Sequence, residues 1–135
     1  HLMAAIWGVG IDNLVVELDG PEVPIMDGSS EPFVFLLECA GLTQLAAARK
    51  VLRVLKTVEV REGAPGNESV ARIQPNVEGD EGCILGIEIQ FNNPLVGSQS
   101  SRYDFREVTF KQSLSRARTF GFEHEVNALR GMGLA

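Results

Sequence analysis

Val51-Leu52-Arg53-Val54-Leu55-Lys56-Thr57-Val58-Glu59-Val60-Arg61 is the stretch that decides the fold class. Upstream of it apolar residues recur at helical spacing. From Val51 they recur every second residue, with Leu52, Val54, Val58 and Val60 on one face and Leu55, Thr57, Glu59 and Arg61 on the other. A period of two is that of an extended strand, and a long strand is predicted here. Downstream, Glu62-Gly63-Ala64-Pro65-Gly66-Asn67 turns the chain, residues 70–73 return it and residues 76–82 turn it again, so an antiparallel meander is expected. Cys83, Leu85, Ile87, Ile89 and Phe91 then alternate with Ile84, Gly86, Glu88 and Gln90 until Asn92-Asn93-Pro94 ends the strand. A further short strand is expected over 102–105.

Upstream, Phe33, Leu36, Leu37 and Ala40 fall at i, i+3, i+4 and i+7, an apolar helical stripe that would face a sheet. Ser30 can cap this helix, Glu31 suits its positive end, Pro32 is tolerated in its first turn, and Gly41 stops it. Residues 14–18, apolar and β-branched, predict a buried strand, and Val23-Pro24-Ile25-Met26 an edge or loop. Residues 1–7 resemble the tail of a helix halted at Gly8 and Gly10. Residues 42–50 are helical by their alanines yet sit where composition changes, and are taken as an interdomain connection. Beyond the strands, Phe110, Leu114 and Ala117 trace one helix face from near Thr109, and residues 123–130 form another with Val126 and Leu129 apolar. Between them Ser115-Arg116-Ala117-Arg118-Thr119-Phe120-Gly121-Phe122 crowds two guanidinium groups, two hydroxyls and two phenyl rings into a ligand-facing hinge. One-sided patterns in both halves predict an α+β architecture containing parts of two domains.

The 135 residues, 44% hydrophobic and 22% charged, have an ordinary globular composition. With 12 Lys+Arg against 18 Asp+Glu the net charge is -6, which repels polyanions and argues against nucleic acid as a partner. The two cysteines, Cys39 and Cys83, fall in patterns of buried helix and buried strand and make no disulfide framework, which fits a cytoplasmic protein. No apolar run approaches the ~20 residues of a membrane span. Gly8-x-Gly10 lacks a third glycine and precedes a strand, so it is no dinucleotide fingerprint.

Four motifs occur in order: His1-Leu2-x-Ala4-Ala5-x-x-Gly8-x-Gly10-Ile11-Asp12-Asn13, Glu22-Val23-Pro24-Ile25-Met26-Asp27-Gly28-Ser29, Phe91-Asn92-x-Pro94, and the hinge of residues 115–122. Together they resemble the UDP-3-O-acyl-N-acetylglucosamine deacetylases of lipid A biosynthesis, over the whole chain. The resemblance implies a two-domain α+β fold, each domain a β-sheet with two helices packed on one face, and an active site between the helical layers. Residues 1–48 would then be the C-terminal part of the first domain. Residues 49–135 would be the N-terminal and central part of the second, including the start of the insert that forms the acyl tunnel. The chain is expected to be an internal segment, inactive alone and able to self-associate, of a monomeric cytoplasmic enzyme that removes acetate from UDP-3-O-acyl-N-acetylglucosamine. The alternative is a non-catalytic nucleotide-sugar or acyl-chain binding module.

The resemblance also implies roles for single residues. Hydrolytic zinc needs three protein ligands and an open position. His1, by pattern alone a residue of a loose terminus, would be one metal ligand. The family's H-K-x-x-D segment, its glutamate general base and a later histidine acid are not in these residues. Thr119, by pattern a residue ending a helix, would help hold the oxyanion of the tetrahedral intermediate. Phe91, on the apolar face of its strand by periodicity, and Phe120, by residue type more often core than ligand contact, would stack on uracil and pack on the hexose respectively. Gln90 stands where relatives carry an acid for the uracil, and near Ser69 a lysine that meets the diphosphate is replaced. Val126 and Leu129 would line the acyl tunnel, or simply pack as a helix face. Asp27 is a further candidate, although an aspartate in such a turn more often bonds nearby backbone. Arg116 and Arg118 are expected to pair with carboxylates, and His124 to be a solvated helix residue.

Overall fold

The computed structural model describes residues 1–77 and 82–133. Among them the chain is α+β, in the order α1 (Leu2–Val9), α2 (Glu31–Ala40), β1 (Val58–Ala64), β2 (Asn67–Ile73), β3 (Ile84–Gln90), β4 (Ser98–Asp104), α3 (Phe110–Ser113) and α4 (Glu123–Gly131). Two compact units result: His1–Gln44 with Glu107–Ala135, and Leu45–Arg106.

In the first unit α1 packs on α2 and α3. Its buried apolar residues are Ala5 from α1, Phe33 and Val34 from α2, and Phe110 from α3. Trp7 stands edge-on to Phe110 with ring centroids 6.2 Å apart. The helix runs through Gly8, which does not halt it, and ends at Gly10. Gly10 adopts φ +80, its N–H donates to the carbonyl of Trp7, and the N–H of Ile11 donates to that of Ile6, both at 3.0 Å. Together these form a Schellman stop, whose left-handed residue is best a glycine.

Several expectations are corrected here. Helix α2 has its predicted span, but its partner is α1 instead of a sheet, and burial is confined to Phe33 and Val34, leaving Leu36 exposed. Its capping hydroxyl belongs to Ser29, whose Oγ accepts from the N–H of Glu31 at 3.3 Å; Ser30 makes no side-chain cap. Residues 14–18 form no strand and are exposed, because a strand needs a neighbour for its backbone bonds and none lies beside them among the described residues. The helix over Phe110, Leu114 and Ala117 is only the turn Phe110–Ser113, capped by Thr109 Oγ1. Residues 114–119 leave it in turns and coil. Helix α4 falls where predicted.

The second unit contains two antiparallel hairpins, β1-β2 and β3-β4, instead of one meander. Strand β1 begins at Val58, not Val51, because its partner β2 ends opposite it at Ile73 and residues 51–57 have no ladder to join. The first turn is tighter than expected, only Pro65-Gly66 between the paired Ala64 and Asn67. Proline at the first central position and Gly66 at φ +85 in the second suit a type II turn. Part of the turn expected over 76–82 lies outside the described residues. Strand β3 ends at Gln90, one residue before Phe91, and β4 starts at Ser98, earlier than expected. The alternating face of β3 is not core: Leu85 and Ile87 are exposed, as are Cys83 in this unit and Cys39 in the first.

Candidate active site

The hinge and the Asp27 turn, far apart in the chain, are joined in the first unit. The turn is closed by the N–H of Gly28 donating to the carbonyl of Ile25 at 3.0 Å. It holds Met26 at φ +56, a conformation that costs a residue with a side chain roughly 1–2 kcal/mol. Asp27 Oδ1 accepts from the N–H of Ser29 at 3.0 Å and from its hydroxyl at 2.7 Å. This side-chain turn is the expected use of an aspartate here. Ser29, fully buried, in turn starts α2 through its bond from Glu31.

Residues 115–119 dock on that turn. The N–H of Ser30 donates to the carbonyl of Ser115 at 3.0 Å, and the N–H of Thr119 donates to that of Gly28 at 3.2 Å. Arg118 Nη2 donates to Asp27 Oδ2 at 3.1 Å across 91 residues, and Arg116 Nη2 lies 3.8 Å from Glu31 Oε1. Both arginines therefore pair with carboxylates, as expected. Buried Ser115 donates its hydroxyl to the carbonyl of Lys111 at 2.6 Å, while Lys111 Nζ reaches Glu38 at 2.6 Å. The Thr119 methyl faces Gly28, at 3.8 Å from where a Cβ on that glycine would stand.

The hydrogen bonds from Ser29, and then the Arg118 guanidinium, hold the Asp27 carboxyl below its ordinary value of 3.8. A depressed folded-state pKa contributes stability that is complete above the unfolded value and is lost as pH falls through the folded one. Asp27→Asn is therefore expected to lower Tm by a constant amount at neutral pH, a difference that shrinks below about pH 4, the carboxylate range. Melting curves of both proteins from pH 7 to pH 2.5 check this, and a difference that grows on acidification would contradict it.

Beyond Thr119, Phe120 stands edge-on to Phe122 at 6.1 Å, and Phe122 stacks on His124 at 5.8 Å. Glu125 caps α4 by accepting from the N–H of Phe122 at 2.9 Å. Val126 is half-buried beside Gly121 and Leu129 is exposed one turn on. His124 is exposed in the first turn of α4, as expected.

In the second unit the two hairpins line an open cleft of about 1220 Å³. Gln90 and Phe91 lie on its wall, as do Ser69 and Arg72, so the residues predicted to meet the uracil share one concavity with Ser69. The N–H of Phe91 donates to the carbonyl of Gly97 at 2.9 Å, which sets the ring at the end of β3. Glu59 of β1 is gripped by Arg72 of β2 and by Arg61, which keep its carboxyl below the ordinary range, while the carboxylates of Glu59 and Glu68 raise the Arg61 guanidinium.

His1 is exposed and leads into α1, its carbonyl accepting from the N–H of Ala5 at 2.9 Å. No group of three or more His, Cys, Asp or Glu able to hold a metal occurs among the described residues. The donors among the described residues therefore do not by themselves fit a zinc site. No helix among the described residues is long and apolar enough to cross a membrane.

The LpxC family model, described as UDP-3-O-acyl N-acetylglycosamine deacetylase, matches residues 1–135. The chain belongs to this deacetylase family. It is 46% identical over 136 aligned residues to the UDP-3-O-acyl-N-acetylglucosamine deacetylases of Stenotrophomonas maltophilia strains K279a and R551-3. The match covers 99% of this chain and 42% of each relative, so the chain spans less than half the length of these curated deacetylases. What sequence reasoning missed in this deacetylase segment is the buried polar base of the site, Ser29, Ser30 and Ser115. The Asp-x-Ser spacing of residues 27–29 does signal the local turn. Nothing in the sequence signals Ser115, whose partners lie on α3 and the Asp27 turn, or the close approach of Gly8 to Phe110.

Proposed function

We propose that the complete protein is a zinc-dependent, cytoplasmic hydrolase that removes the N-acetyl group of UDP-3-O-acyl-N-acetylglucosamine in lipid A biosynthesis. The observation that carries this reading is the docking of residues 115–119 on the Asp27 turn, which joins two of the family's motifs through the bond from the Thr119 N–H to the Gly28 carbonyl. In this proposal Thr119 donates to the oxyanion as it develops on the amide carbonyl. Phe120 packs on the hexose, Phe91 and Gln90 take the uracil, and Val126 and Leu129 line the path of the acyl chain. His1 supplies one metal ligand, the others coming from parts of the complete protein beyond these residues. The domain division falls after residue 48, so the packing of α3 on α1 joins helices of both domains. The complete protein is monomeric, while the isolated segment, with Val15, Leu52 and Leu95 more than four-fifths exposed, self-associates.

Acetate release from UDP-3-O-acyl-N-acetylglucosamine by the complete protein tests the proposal. Binding of that substrate without acetate would instead support a non-catalytic nucleotide-sugar module. Within the hydrolase, Phe91→Ala is expected to raise KM for the UDP-linked substrate by the loss of roughly 1–3 kcal/mol of base stacking, with kcat little changed. An unchanged KM would remove Phe91 from the uracil site.

A further inference from the structure

We infer that the Asp27–Arg118 ion pair is a positioning device for Thr119, setting where its hydroxyl stands without itself meeting substrate; the inference rests on the oxyanion role proposed above. Residues 116–119 belong to no helix or strand, so their placement depends on discrete bonds to the turn. Two of these bracket the Thr119 peptide unit. Its own N–H is held by the carbonyl of Gly28, and the side chain just before it is held by Asp27, the residue just before Gly28. The carboxylate is fully engaged, Oδ1 by the N–H and hydroxyl of Ser29 and Oδ2 by Arg118, which suits an anchor better than a proton carrier. The anchor is itself fixed, because Ser29 is fully buried and continues into α2.

The pair is at the surface, with the Arg118 side chain 65% and the Asp27 side chain 39% exposed. Exposed ion pairs contribute little to stability because water and salt screen them. Their geometric effect is not screened away, and a misplacement on the order of 1 Å at a reacting centre can cost about 10²-fold in rate. A positioning pair and a merely structural one are therefore separable: the first moves kcat more than Tm. The neighbouring Arg116–Glu31 pair, longer at 3.8 Å and with Arg116 85% exposed, provides an internal control on the same segment.

The test uses the complete protein with UDP-3-O-acyl-N-acetylglucosamine, reading kcat, KM and Tm. Arg118→Gln is expected to lower kcat by about 10–10²-fold with KM and neutral-pH Tm little changed, and Asp27→Asn to lower kcat by a similar factor alongside the fall in Tm that follows from its bonds to Ser29. Arg118→Lys, which keeps the charge, recovers most of the rate, and Arg116→Gln leaves it unaltered. In a Thr119→Val background Arg118→Gln costs nothing more, since the hydroxyl it positions is gone. The inference is overturned if Arg118→Gln keeps its kcat while Thr119→Val loses it, if the two losses multiply, or if the loss in Arg118→Gln appears in KM or follows a fall in Tm. If Thr119→Val alone keeps full kcat, the oxyanion role fails first, and the single variant shows this independently of the pair.

Discussion

Thr119→Val in the complete protein lowers kcat by roughly 10²–10³ and leaves KM nearly unchanged, as expected when a donor aimed at a developing oxyanion is removed. Valine suits the purpose because it preserves what the structure shows Thr119 doing for the fold. Its N–H still donates to the carbonyl of Gly28, and a methyl still faces that glycine. Only the hydroxyl is lost. Thr119→Ser is the complementary variant and is expected to keep most of the rate. Steady-state kinetics on the two variants check the role, and a kcat for Thr119→Val equal to that of the wild type would contradict it.

Gly8→Ala is the substitution expected to damage the fold most for its size. An ideal Cβ at Gly8 would lie 2.1 Å from Phe110 Cδ1, 2.3 Å from Cγ and 2.8 Å from Cε1. Those atoms belong to a buried ring that meets Trp7 edge-on, so it has little freedom to swing aside. Forcing an added methyl into such a contact typically costs about 1–3 kcal/mol, which should appear as a fall of several degrees in Tm of the complete protein. Gly131→Ala is the contrasting case, since nothing lies within 4 Å of its Cβ position at the end of α4. It is expected to be neutral or slightly stabilising, because alanine is the better helix former. A Gly8→Ala protein that melts with the wild type would show that α1 and α3 do not pack as described.

The two glycines also show what can and cannot be read from one sequence. Gly10 is legible: it follows an apolar helical run and takes the left-handed stop that such a run needs. The boundaries of α2, β3 and α4 are legible for similar reasons, each being set by local periodicity and by residues that cap or break it. Gly8 is not legible, because its cause is a ring 102 positions later that no local pattern announces. Residues 14–18 and 51–57 fail in the opposite direction. Their composition favours strands, but a strand exists only where a neighbour completes its hydrogen bonds, and β1 begins where β2 supplies one. At the site, the Asp27 turn and the ion-pairing of Arg116 and Arg118 follow from residue chemistry. That Asp27 and Arg118 choose each other does not, since several carboxylates lie at comparable places in the sequence. The family resemblance supplies the functional roles that local pattern cannot, because a catalytic threonine and a helix-ending threonine have the same periodicity.

The most direct measurement is acetate release from UDP-3-O-acyl-N-acetylglucosamine by the complete protein, before and after treatment with a zinc chelator and again after zinc is restored. The account predicts release that is lost on chelation and recovered with zinc. A complete protein that binds this substrate yet releases no acetate under any of the three conditions would contradict it.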